Sequence, residues 1–183
     1  SAGLHVLVVK HGLDLGAKDL RAELARRADP LLTSGALRAP DGALAFVYKA
    51  AAEIGELGDN GRALRAAIAG DALLHRALRA ETAEAIVLCH TRWASVGIIS
   101  QPNAHPLSHE ELDGVARPYA IAALNGDVDN YADLKAREGL QIAPEITTDA
   151  KVIPAMVSRR VAEGLPLEEA FRRTVASFVG SVA

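Results

Sequence analysis

The chain has 183 residues, half of them hydrophobic and 4% aromatic, with a formal net charge of −3 spread over interspersed acids and bases. That length suits one domain with a normal core and room for an insertion, and the charge gives no case for a nucleic-acid partner or a membrane surface. One Cys excludes a disulfide framework and points to a reducing compartment, the cytoplasm, while no apolar run approaches the roughly 18–20 residues that cross a bilayer and no signal peptide is visible.

Leu4–Val9 is a β-rich apolar run ended by Gly12. Leu15–Arg27 carries Leu20 and Leu24 at helical spacing, and Asp29-Pro30 breaks it. Thr33–Gly42 reads as a loop, Ala43–Tyr48 as a second strand and Glu53–Asn60 as a loop. Asn60–Ala69 and Ala72–Ala80 read as two helices divided at Gly70, on the recurrence of Leu64, Ile68, Leu74 and Leu78. Ala85–Cys89 is predicted to be a buried strand, with Cys89 as inert packing inside it. The long connection from His90 to Gly114 has few residues that favour regular structure, and long loops in compact domains are usually functional or disordered.

Tyr119–Leu124 is predicted as a strand closed by Asn125-Gly126. Asn130 is placed to cap a helix from Tyr131 to Glu138, with Asp133 in a capping-box position and Gly139 as the stop. Asp149–Glu163 is predicted helical, provided that Pro154 falls in the first turn. Leu167–Phe178 is a further helix, and Gly180-Ser181-Val182-Ala183 reads as a strand just beginning. Both ends look cut: the chain opens straight into a strand and has no initiating Met. The mixture of strands and helices indicates an α+β or layered α/β domain.

Three pieces carry chemistry. Arg92, after a strand and beside the only Trp, Trp93, suits a bidentate grip on a carboxylate, with a surface ion pair as the alternative. Asn125 and Gly126 can present an amide and a bare backbone N–H side by side as an oxyanion hole, with a hairpin turn as the alternative. Asp149 is either a carboxylate for an ammonium group or a helix cap. His105 and His109 are four apart, but Pro106 intervenes and no Cys pair or HExxH pattern accompanies them, so no metal is expected. His90 and His105 are read as hydrogen-bonding groups that fix the loop.

In this order the fragments resemble the class II glutamine amidotransferases, and most closely the glutaminase domain of the isomerising glucosamine-6-phosphate synthases. The family's HTRWA motif stands as His90-Thr91-Arg92-Trp93-Ala94 and its NAHP motif as Asn103-Ala104-His105-Pro106. Its NG-x-x-x-N-Y motif stands as Asn125-Gly126 with Asn130-Tyr131, and its T-D-x-x-V-I motif as Thr148-Asp149 with Val152-Ile153. Ser1-Ala2-Gly3-Leu4 looks like the family's S-A-G strand. The likeness is close from Ala85 to Ile153, weaker to Ala183, and nearly absent over an enlarged, helical segment around 12–80.

The resemblance implies a glutamine amidotransferase type 2 domain over 1–183, with the four-layer αββα sandwich of the N-terminal nucleophile hydrolases. It implies that Arg92 clamps the α-carboxylate of glutamine and Asp149 its α-ammonium, that Asn125 and Gly126 stabilise the oxyanion, and that Trp93 and Ser95 complete the pocket. It implies no cofactor, a synthase (sugar isomerase) domain on the same longer chain as partner, and leaves room for a homodimer. The family's nucleophile, an N-terminal Cys with a free amine, has no counterpart here, and the S-A-G likeness puts the natural N-terminus well upstream. Val96, Leu124 and Lys151 stand where the family usually has His, His and Glu. Two other outcomes stay open: a glutaminase serving another acceptor, and a glutamine-sensing domain without a nucleophile.

Overall fold

A computed structural model describes residues 1–52, 58–92 and 96–182. They fall into two compact units, Ser1–Arg92 with Ile99–His105, and Trp93–Ile98 with Pro106–Ala183.

The first unit contains β1 (Ala2–Val9), α1 (Lys18–Arg26), β2 (Leu37–Arg38), β3 (Leu44–Ala50), α2 (Asp59–Gly70), α3 (Ala72–Ala77) and β4 (Glu84–Thr91). Its strands form one antiparallel sheet in the order β2-β3-β1-β4. Period-2 alternation gives the sheet two distinct faces. On one, Ala2, Val6 and Val8 join Leu44, Phe46 and Tyr48 and pack with Leu64 of α2 and Leu74 and Ala77 of α3. On the other, Gly3, His5 and Leu7 lie between Lys49, Val47 and Ala45 of β3 and His90, Leu88 and Ile86 of β4.

β4 corrects one expectation. The strand exists, but as the outer strand of the sheet it is largely exposed: Ile86 is 61% and Val87 54% exposed, and Cys89 is exposed rather than packed. An apolar run predicts a strand and says nothing of whether both its faces are covered. Other boundaries shift for local reasons. α1 starts at Lys18 because the Gly16 N–H donates to Asp14 Oδ1 in a preceding turn. The expected loop 33–42 holds β2 and a 3₁₀ turn, Pro40–Gly42. Most of the expected loop at Glu53–Asn60 lies outside the described residues.

The segment from α1 to α3 is held by a buried polar knot. Arg27 donates to both oxygens of Asp71 (3.2 and 2.8 Å) and to the Gly35 carbonyl, and the Tyr48 hydroxyl donates to Asp71 Oδ2 at 2.8 Å. Asp71 Oδ1 meanwhile accepts the Leu73 and Leu74 N–H groups, capping α3. One carboxylate thus ties together α1, β3 and the start of α3.

The second unit contains β5 (Leu107–Ser108), β6 (Ile121–Ala122), β7 (Gly126–Val128), α4 (Tyr131–Arg137), α5 (Val152–Ala162), α6 (Leu167–Val175) and β8 (Gly180–Val182). β5 pairs antiparallel with β6, and β7 with β8. A 3₁₀ turn, Asp149–Lys151, leads into α5. Pro154 does fall in the first turn of α5, where its missing N–H has no helical acceptor to lose. Every residue from Val152 to Ser158 is buried, so this helix is a core element. The predicted strand 119–124 shrinks to β6. Gly139 ends α4 with φ +60°, as expected.

Asn130 corrects a second expectation. Its side chain makes no cap on α4. Its amide donates to the Ser177 carbonyl and its oxygen accepts the Val179 N–H, fastening the segment before β8. Helices and antiparallel sheets in both units make the fold α+β. No described helix is long and apolar enough to cross a membrane.

Candidate functional site

Gly3, His90, Arg92 and His105 meet in the first unit. Gly3 faces His90 across the β1–β4 pair. A Cβ on Gly3 would stand 2.2 Å from the His105 carbonyl oxygen. The bare glycine is therefore what lets the backbone of the 99–105 loop close onto the sheet. The His105 ring is buried and lies 5.0 Å from the His90 ring. The same loop is fastened by Gln101, whose Oε1 accepts the Ser34 N–H, and by the Asn103 amide, which donates to Ser100 Oγ.

Arg92 follows β4 directly, and its N–H donates to the Ser1 carbonyl at 2.8 Å, the last rung of the β1–β4 ladder. The residue is 9% exposed. Burial, and then the nearby Arg92 charge, push the His90 imidazole below its ordinary pKa. A neutral His90 is a hydrogen-bonding group rather than a second cation, and its Nδ1 is buried with no partner among the described residues. His5 behaves in the same way and more strongly. Burial and the neighbouring Lys49 push it down to about 3.

Asn125, Gly126 and Asp149 lie in the second unit, where Asp149 is bonded to the strand that Gly126 begins. Asn125-Gly126 is not a hairpin turn, because Gly126 opens β7 and β7 pairs with β8, far along the chain. Gly126 has φ +142°, a conformation that disfavours any side chain, and both residues are exposed. Asp149 is 4% exposed and its carboxylate does not cap a helix. Oδ2 accepts the Val128 N–H at 2.7 Å, and Oδ1 accepts the Thr148 hydroxyl at 3.2 Å. A carboxylate offers about four lone-pair positions, so these two bonds orient Asp149 and leave capacity for an ammonium group.

The Val128–Asp149 bond joins the strand that begins at Gly126 to the turn that carries Asp149. Arg92 belongs to the first unit and this group to the second. Trp93 and Ser95 lie outside the described residues. Leu124 is buried next to Asn125. Among the described residues no group of three His, Cys, Asp or Glu side chains is arranged to hold a metal ion.

The sequence marked Lys151 as a departure from the resemblance but gave it no role. It is 2% exposed, and its ammonium donates to the carbonyls of Ser108 and Glu110 at 2.6 and 2.7 Å. Burial lowers its pKa to about 8, against the opposing pull of Glu110 and Glu111. The available signal was its place two residues after Asp149, where the family usually has an acid.

No family model matches the chain. A glutamine--fructose-6-phosphate aminotransferase [isomerizing] of Geobacillus kaustophilus is 38% identical over 94 residues, 51% of this chain and 15% of that protein. The protein of the same name from Halalkalibacterium halodurans is 40% identical over 95 residues, again 51% and 15%. These proteins are homologues of the chain. A third, from Shouchella clausii, is 31% identical over 112 residues, 61% of this chain and 18% of its own length. The chain thus covers less than a fifth of each of these isomerising aminotransferases.

Proposed function

We propose that the chain is a class II glutamine amidotransferase domain of the four-layer αββα type. It hydrolyses glutamine to glutamate and ammonia and passes the ammonia to a synthase domain that converts fructose 6-phosphate to glucosamine 6-phosphate in the cytoplasm. The observation that carries this reading is the homology to proteins named for that overall reaction. The geometry agrees with it: a nearly buried guanidinium at Arg92, an oriented carboxylate at Asp149, and a glycine N–H beside an exposed amide at Asn125-Gly126.

In this reading a thiolate, which the family supplies from an N-terminal Cys, attacks the side-chain carbonyl carbon of glutamine. The tetrahedral oxyanion takes hydrogen bonds from the Asn125 amide and the Gly126 N–H. Collapse expels ammonia, with a proton returned to the leaving nitrogen, and water then cleaves the thioester to give glutamate. Arg92 and Asp149 hold the α-carboxylate and α-ammonium throughout, so they contribute to ground and transition states alike. Trp93 and Ser95 complete the amino-acid pocket, and His90 and His105 fix its loop.

The test is glutamate release by the full natural protein. Arg92→Ala and Asp149→Asn each remove a charge-assisted contact and raise the KM for glutamine, by about 30-fold or more. Asn125→Ala removes a contact made in the transition state and lowers kcat about 10²–10³-fold with little change in KM. Glutamine kinetics indifferent to both Arg92→Ala and Asp149→Asn would sink the reading.

A further inference from the structure

Lys151 stands two residues from Asp149, where the resemblance leads one to expect an acid. A buried cation is costly unless its donors are met. Here two of the three ammonium donors are met by main-chain carbonyls, Ser108 at the end of β5 and Glu110 just after it. That segment is itself firmly anchored. Glu111, with a fully covered side chain, takes two bonds from Arg159 at 2.8 and 2.7 Å and one from the Gln141 N–H at 2.7 Å, and Arg117 lies 3.5 Å from it. The Leu112 N–H donates back to the Gln141 carbonyl. Lys151 therefore ties the 3₁₀ turn to a fixed point.

The Asp149 carboxylate holds the turn to β7 through the Val128 N–H, and buried Ala150 and Val152 seat it where the chain enters α5. Of the side-chain hydrogen bonds described for the turn, only those of Lys151 fix it without using the carboxylate that must also grip the substrate. We propose that Lys151 is a positioning residue for Asp149: by fastening the 149–151 turn to the Ser108 and Glu110 carbonyls, it aims the carboxylate at the α-ammonium of the amino-acid substrate. The assignment rests on the glutaminase reading and adds to it a residue that the motif comparison marked only as a departure.

A double-mutant cycle in the full natural protein tests it, reading KM and kcat for glutamine from glutamate release. Lys151→Met raises KM about tenfold with kcat within about twofold, because Asp149 binds ground and transition states alike. Lys151→Gln keeps an N–H donor and restores part of the loss. Asp149→Asn raises KM, and adding Lys151→Met to it changes KM by less than about twofold, since the lysine acts through the aspartate. Circular dichroism melts identify the variants that fold, and Lys151→Gln carries the cycle if Lys151→Met does not. Full additivity on the Asp149→Asn background, or an unchanged KM in a folded Lys151 variant, overturns the proposal and leaves the glutaminase reading intact. An Asp149→Asn protein with unchanged KM overturns the Lys151 proposal, and the glutaminase reading falls with it only if Arg92→Ala also leaves KM unchanged.

Discussion

At the scale of single residues, two buried bases both make the protein more stable as pH rises, each in its own window. His5 titrates near 3 when folded and near 6.5 when free. Between those values the unfolded chain binds the extra proton, so stability is full above pH 6.5 and falls as pH drops. At pH 5 the loss from His5 is about 2 kcal/mol. Urea unfolding across pH 4.5–7 should show this slope, and His5→Leu should flatten it. Lys151 titrates near 8 folded and 10.5 free. The unfolded chain again holds more protons in the window between, so this group adds stability as pH rises from 8 to 10.5, by about 3 kcal/mol. The slope should vanish in Lys151→Met. Neither residue's burial could be read from the sequence. A Lys in a polar turn reads as solvated, and a His in an apolar strand reads as one of two faces. The motif residues were more legible as candidates, because Arg92 comes just after the apolar run 85–89, Asn125-Gly126 closes the run 119–124, and Asp149 precedes a helical repeat.

At the scale of elements, the Arg27–Asp71 knot and the Gly3 contact carry the strongest expectations. Asp71→Ala removes the α3 cap and leaves a guanidinium with 7% side-chain exposure without its carboxylate. A broken buried pair costs about 3–5 kcal/mol, readable as a lowered urea midpoint at constant slope. Gly3→Ala forces the β1 backbone and the His105 carbonyl apart. It should cost about 1–3 kcal/mol, an overpacking penalty, and hydrogen exchange should quicken in residues 99–105. The helices were legible because Leu64 and Ile68, or Ile153 and Val157, repeat at intervals that only a helix brings to one side. Their ends were not. Leu15–Ala17 and Asn130 spend their hydrogen bonds on a turn and on the 177–179 segment, choices made by tertiary partners. The two-residue strands β2, β5 and β6 are too short to show any period.

At the scale of the whole molecule, the outer edge of β4 dominates. It is eight residues long, carries Ile86 and Val87 in the open, and pairs with no other strand among the described residues on its free side. Such an edge is a template for pairing between chains. A protein of these 183 residues should self-associate as its concentration rises, and Val87→Lys should keep it monomeric by light scattering. Unaltered association in Val87→Lys would place the sticky surface elsewhere. The same strand carries Cys89, the only thiol, exposed and three residues before Arg92. One equivalent of a maleimide dye should therefore attach at a single known position, with no cysteine to remove first. A change in its emission on adding glutamine would test the proposed amino-acid site at Arg92, whether or not any turnover follows.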